Sequence, residues 1–117
     1  MNEPHPPQCE LSLVSDLEPL NDERIAEIAK ALAHPARIRI LEQFVSCQPH
    51  IAREINAELD LAQSTVSEHL RFLRESGLLT ATPAGPRTWY CMQRALMEQF
   101  ATAVLELADS AVLTDVG

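Results

Sequence analysis

The sequence is short of large rings, glycine, cysteine and positive charge. Aromatic residues are 4% of its 117 residues, which argues against a sandwich centred on large rings and for helices packed through Leu, Ile, Val and Ala. Three glycines leave little backbone for a phosphate-binding loop. No Ser/His/Asp set or paired-carboxylate cleft is visible, so no enzyme is expected. There is no run of 18 apolar residues, and the first residues lack the charged-then-apolar order of a signal peptide. Neither a membrane nor secretion is therefore indicated, and a cytoplasmic protein is expected. The three cysteines, Cys9, Cys47 and Cys91, are too few and too scattered for a disulfide framework. In a reducing compartment they are expected as thiols, available for metal or metalloid binding, redox sensing or simple packing.

The formal net charge of -8 opposes a nucleic-acid partner until its distribution is considered. Seven acidic residues fall within Met1 to Lys30 against Arg24 and Lys30, and four fall from Ala95 onward against none. Residues 31–94 carry seven basic and six acidic residues. An acidic periphery around a near-neutral centre permits a local basic face, and equally fits an ordinary acidic soluble protein.

What is present has the length of one domain with a real core. Residues 1–20, with Pro4, Pro6, Pro7 and Pro19, read as an extended arm that must dock on something else to be ordered. The main domain is expected over 21–113, followed by a tail, 114–117. Its first helix starts at Asn21 or Asp22 and turns Ile25, Ile28, Ala29 and Leu32 to one face. Pro35 opens a second helix with Ile38, Leu41 and Val45 at helical spacing. Pro49 breaks the pattern before a third helix from about His50 to Glu58, with Ile51 and Ile55 inward. The tight turn Leu59-Asp60-Leu61 leads to a fourth helix from about Gln63 to Ser76, stopped by Gly77. Leu78–Thr82 and Arg87–Met92 are strand candidates around the turn Pro83-Ala84-Gly85-Pro86. A last helix from about Ala95 carries Leu96, Phe100, Val104, Leu107 and Ala111 as an apolar stripe.

This order, mainly α (α-α-α-α-β-β-α), is that of a winged helix-turn-helix, a DNA-reading architecture. The first and last helices have apolar faces that one chain does not obviously cover, so a homodimer is expected, its paired heads matched to a palindromic double-stranded operator. On the fourth helix Val66, Leu70 and Leu73 form the buried stripe, while Gln63, Ser64, Ser67, Arg71 and Arg74 lie opposite. Short hydroxyls near a helix N-terminus approach bases and phosphates closely, Gln63 can pair with adenine, and the arginines can neutralise phosphate. Arg87, near the hairpin tip, can reach a minor groove or the backbone. An amphipathic helix with a merely solvated face remains the plain alternative for this segment.

Three stretches, "KALAHPARIRILEQF" (30–44), "LDLAQSTVSEHLRFLRESGLL" (59–79) and "GPRTWY" (85–90), make the chain resemble the ArsR/SmtB family of metal- and metalloid-responsive repressors over about residues 22–107. The resemblance implies a homodimer that leaves its operator when an inducer binds, with no organic cofactor. Gln63, Ser64, Thr65, Ser67 and His69 match the family's reading-helix positions, and for His69 packing, capping and DNA contact are all open. Ala62 stands where the family usually has a capping serine, and Asp60 where it commonly has glycine.

The resemblance also narrows the inducer. No histidine follows His69, which removes the family's last-helix site, and Ile51 and Arg53 stand where its third-helix cysteines would be. An arsenic-sensing type remains, with thiols on the arm and in the loop between the second and third helices. Cys9 and Cys47 match those positions. Trivalent arsenic, soft and thiophilic, is the expected inducer, with antimony or zinc possible. That type carries two adjacent arm thiols, whereas Glu10 follows Cys9 here. Either Cys91 supplies a third ligand, or two thiolates hold a methylated trivalent arsenical. For zinc the set would be His5, Cys9, Cys47 and His50. Packing is the simplest role for Cys91, beside Trp89 and Tyr90, and a structural role the simplest for His34. Rival readings are a redox switch joining Cys47 to Cys91, and a winged-helix module whose acidic face meets protein.

Overall fold

The computed structural model describes residues 6–9, 18–46 and 48–116, with side chains as far as residue 109. Helix α1 (Asp22–Ala31) begins where the Asn21 side chain accepts a hydrogen bond from the Arg24 amide at 2.8 Å, with Asp22 and Glu23 in its first turn and Lys30 in its last. These charges oppose the partial charges at the helix ends. Its buried residues are Ile28 and Ala31; Ile25 and Leu32 are partly covered and Ala29 is exposed.

Helix α2 (Pro35–Glu42) has Pro35 in its first turn, where the missing N–H costs no helical bond. His34 caps it, Nδ1 accepting from the Ala36 amide at 3.1 Å, the structural role expected of it. The inward face differs from expectation. Ala36, Ile40, Leu41 and Phe44 are buried, whereas Ile38 is 43% and Val45 69% exposed. The helix stops at Glu42, so the chain turns before Val45 can complete the Ile38–Leu41 series, and Phe44 enters the core from the turn instead.

Residues 50–51, expected as the start of a helix, form a two-residue strand, β1 (His50–Ile51), ahead of helix α3 (Ala52–Ala57). Antiparallel pairing with a later strand at Trp89 and Tyr90 keeps both residues extended, and the Glu54 carboxylate accepts from the Ile51 amide at 3.0 Å, holding that residue at the helix entrance. Helix α4 (Gln63–Glu75) ends at Gly77, whose φ of 89° lies in the left-handed region. Strands β2 (Leu79–Ala84) and β3 (Arg87–Met92) follow.

The hairpin is tighter than expected: Pro83 pairs with Thr88 and Ala84 with Arg87, leaving Gly85-Pro86 as a two-residue tip. Gly85 takes φ 63°, a conformation glycine adopts without steric cost. Pro83 can lie in β2 because that strand is an edge of the sheet, ordered β1-β3-β2. The expected two-stranded wing is therefore a three-stranded antiparallel sheet, with His50 opposite Tyr90 and Ile51 opposite Trp89.

Helix α5 (Arg94–Val116) takes in most of the expected tail. Leu96, Met97 and Phe100 pack against the core, whose fully buried members include Phe44, Ile55, Val66, Leu70 and Leu73. Further along α5, Val104, Leu105 and Leu107 are 44%, 59% and 66% exposed. No helix among the described residues is long and apolar enough to cross a membrane.

Candidate nucleic-acid interface and cysteine pair

Helix α4 is anchored by Val66, Leu70 and Leu73, which are 1%, 2% and 0% exposed. The 3.6-residue period then turns Gln63, Ser64, Thr65, Ser67, Arg71 and Arg74 outward, and all six are exposed. Ala62, at the N-cap, offers no side-chain acceptor, so the first amides of α4 remain directed outward at the end that carries Gln63 and Ser64. Arg71 is not idle: it contacts Glu68 at 3.3 Å and Glu75 at 3.2 Å on its own helix. Exposed pairs of this kind contribute only about 0–1 kcal/mol, so a phosphate can displace them.

His69 corrects the expectation of a base- or phosphate-contacting residue. It is 7% exposed and on the inner side of α4, where Nδ1 accepts from Arg37 Nε at 3.1 Å and the ring lies 4.4 Å from that of His34. The Arg37 guanidinium also sits 4.3 Å from the centre of the Phe72 ring. The cluster fastens α4 to α2, setting the angle of the outward face. Burial above all, then His34 and Arg37, hold the His69 pKa below its ordinary value, against the opposing pull of Glu68.

The sign of the resulting pH dependence follows. Unfolded His69 takes up its proton near pH 6.5, before the folded form does, so stability is full above that value and falls as pH drops from it towards the lower folded pKa. Denaturant midpoints at pH 7.5 and 5.5 should therefore differ more for the wild-type chain than for His69→Gln. Equal slopes would remove His69 from the titration.

Arg87, exposed beside the wing tip, shares a groove of about 340 Å³ with Arg53, Pro86 and Thr88. Arg53 belongs to this surface although the sequence reading gave it no such role. The signal that reveals it is the β1–β3 register, which draws the start of α3 against the wing.

The cysteines depart from expectation. Cys9 is bonded to Cys91, 82 residues away, with a Cα–Cα distance of 5.4 Å; they are not separate thiols, and Cys91 is more than a packed hydrophobe. Cys47 and His5 lie outside the described residues. Two neighbours of residue 47 in the chain are fixed beside β3 and the start of α5: the Val45 carbonyl accepts from Arg94 Nη2 at 2.9 Å, and His50 pairs with Tyr90. The His50 ring stands edge-on to Phe44, 5.0 Å between centroids, with Nδ1 3.9 Å from Glu54; its Nε2 is buried with no hydrogen-bond partner among the described residues. Among those residues no group of three or more metal-binding side chains is assembled.

Residues 34–81 match the family described as bacterial regulatory protein, arsR family. An uncharacterized HTH-type transcriptional regulator of Mycobacterium tuberculosis is 40% identical over 60 residues, 51% of this chain. That match takes in 53% of the relative's length, so the chain spans about half of it. Its crystal structure superposes with a TM-score of 0.58 at 29% identity, covering 79% of this chain and 92% of its own. An uncharacterized HTH-type transcriptional regulator of Methanocaldococcus jannaschii is 34% identical over 68 residues, 58% of this chain and 76% of that protein. The arsenical resistance operon repressor of Staphylococcus aureus is 27% identical over 74 residues, 63% of this chain and 70% of its own.

Proposed function

The chain belongs to the arsR family of helix-turn-helix transcriptional regulators, and we propose that it is a homodimeric repressor that binds a palindromic operator and leaves it when a trivalent arsenical meets its cysteine thiolates. The observation that carries the DNA half is the outward face of α4. Gln63, Ser64, Thr65 and Ser67 stand exposed on a helix locked from behind, with Arg87 and Arg53 on the adjacent wing groove. Base contacts specify and phosphate contacts position, and this surface offers both. The family is one of transcriptional regulators and not of enzymes.

Leu107 of α5, with Ala103, lines a groove of about 570 Å³ against Leu20, Ile25 and Ala26 of the α1 side, and Val104 and Leu105 on the same helix are exposed as well. This uncovered apolar face supports the dimer reading: a second copy would cover it, and paired heads on one palindrome need a fixed spacing. The arsenical half draws on the thiols Cys9 and Cys47, with Cys91 as a neighbour of Cys9, and on the function named for the Staphylococcus aureus relative. Arsenic requires the reduced chain. The ligand ties arm to loop, and because β1 is hydrogen-bonded to β3, displacement of the loop is shared by α3 and the wing. A coupling of about 1–3 kcal/mol lowers operator affinity roughly 5- to 150-fold.

Fluorescence anisotropy on a duplex from the chain's own promoter tests both halves. Binding that weakens steeply with salt is expected, with release by methylated arsenite or arsenite under reducing conditions. Cys9→Ser and Cys47→Ser should bind the duplex as the parent does and fail to release it. Release retained in both variants overturns the arsenical half; salt-independent or absent binding overturns the DNA half.

A further inference from the structure

We propose that Cys9 and Cys91 form a reversible redox pair, closed by hydroperoxide, which docks the N-terminal arm on the sheet face turned away from the core and withdraws both sulfurs from soft ligands. Successive side chains of β3 point to opposite sides; Tyr90 and Met92 pack against the core cluster, which assigns Trp89 and Cys91 to the other face. Cys91 is nevertheless only 5% exposed while standing outside that cluster. The bonded partner there is Cys9, half-buried on the arm segment 6–9.

The closed pair is accommodated within the folded domain. A Cα–Cα distance of 5.4 Å lies inside the roughly 4.4–6.8 Å that a disulfide spans. Cys91 is held by the register of a central strand, opposite Thr80. Cys9 belongs to an arm that contributes no helix or strand among the described residues. One sulfur is thus fixed and covered, the other carried by residues 6–9, which belong to no helix or strand.

The accessible thiolate is the one that reacts first. The Cys9 sulfur attacks one peroxide oxygen, the O–O bond breaks, and the departing hydroxide takes a proton to become water, leaving a sulfenic acid. The Cys91 sulfur then attacks the Cys9 sulfur; the S–S bond forms, the S–O bond breaks, and the hydroxyl leaves with the Cys91 proton as a second water. Two thiols have given two electrons to one peroxide. A dithiol reductant reopens the pair through a mixed disulfide, returning two electrons and two protons.

The consequence for the inducer rests on the arsenical reading above: a closed pair cannot coordinate arsenic, so the oxidised repressor stays on its operator. The full chain, reduced and then treated with hydrogen peroxide, should lose two hydrogens by intact mass, remain monomeric in its covalent state, and yield a Cys9–Cys91 linked peptide with Cys47 still alkylatable. Dithiothreitol should restore three alkylatable thiols. A link involving Cys47, an intermolecular link, or sulfinic acid without any link overturns the pairing. On operator duplex, methylated arsenite should release the reduced protein at concentrations at least tenfold below any that release the oxidised one. Release of both forms at the same concentration overturns the gating; failure to release the reduced form, where peroxide still yields the Cys9–Cys91 linked peptide, overturns the arsenical reading alone.

Discussion

Phe44→Ala is expected to lower the stability of the chain by about 3–5 kcal/mol, the usual cost of emptying a buried aromatic site. The ring is 1% exposed and joins Ile28, Ile40, Ile55 and Leu70 in the central cluster. It also stands edge-on to His50 at 5.0 Å, so its removal opens a cavity where the chain leaves α2 for the break and β1. Little can collapse into that space, because the residues on either side of the break are tied to β3 and α5 by backbone and side-chain bonds. Urea unfolding should show a lower midpoint with an unchanged slope, and the melting temperature should fall by roughly 10–20 °C. Phe44→Leu should cost much less. A loss below 1 kcal/mol for the alanine variant would mean that Phe44 is not part of the core.

Gly77→Val is expected to cost about 2 kcal/mol through the backbone alone, since a φ of 89° is a conformation β-branched residues essentially never adopt. A Cβ there would come 2.8 Å from Arg24 Nη2 and 3.3 Å from Leu96 Cδ2. The guanidinium can swing away, so the backbone conformation dominates. Gly77 joins α4 to β2, and relief of the strain therefore tilts the wing relative to the outward face of α4. Thermal unfolding should rank wild type above Gly77→Asn, which tolerates a left-handed backbone, and Gly77→Asn above Gly77→Val. Asn and Val variants of equal stability would show that the backbone is not the cause.

Helices α1 and α4, the Gly77 stop and the β3 strand were legible because each is written in local chemistry: a capping Asn21, an i, i+4, i+7 stripe, a glycine where the period ends. The inward side of α2 was not. Ile38, Leu41, Val45 and Ala36, Ile40, Phe44 both follow a helical period, and only the early stop at Glu42 decides between them. For His69 residue type leaves packing, capping and DNA contact open, and position decides: Val66, His69, Leu70 and Leu73 lie at i, i+3, i+4 and i+7, one face of a helix, and all four are buried. Strand β1 is two residues long, too short for any period, and exists because β3 has an edge to accept it. The Cys9–Cys91 bond joins residues 82 apart, a separation about which neither local pattern carries information.

That two-residue strand closes a ring. Pairing Ile51 with Trp89 joins chain ends that would otherwise diverge after α2, and inside the loop so formed lie α3, α4 and β2. The clasp comes late in the chain: the two ends must meet across three elements before it can be fastened, so loop-closure entropy weighs against it until those elements are in place. Once fastened, it makes the entrance of α3 and the wing move together, so that a displacement of the break after α2 is carried into the hairpin.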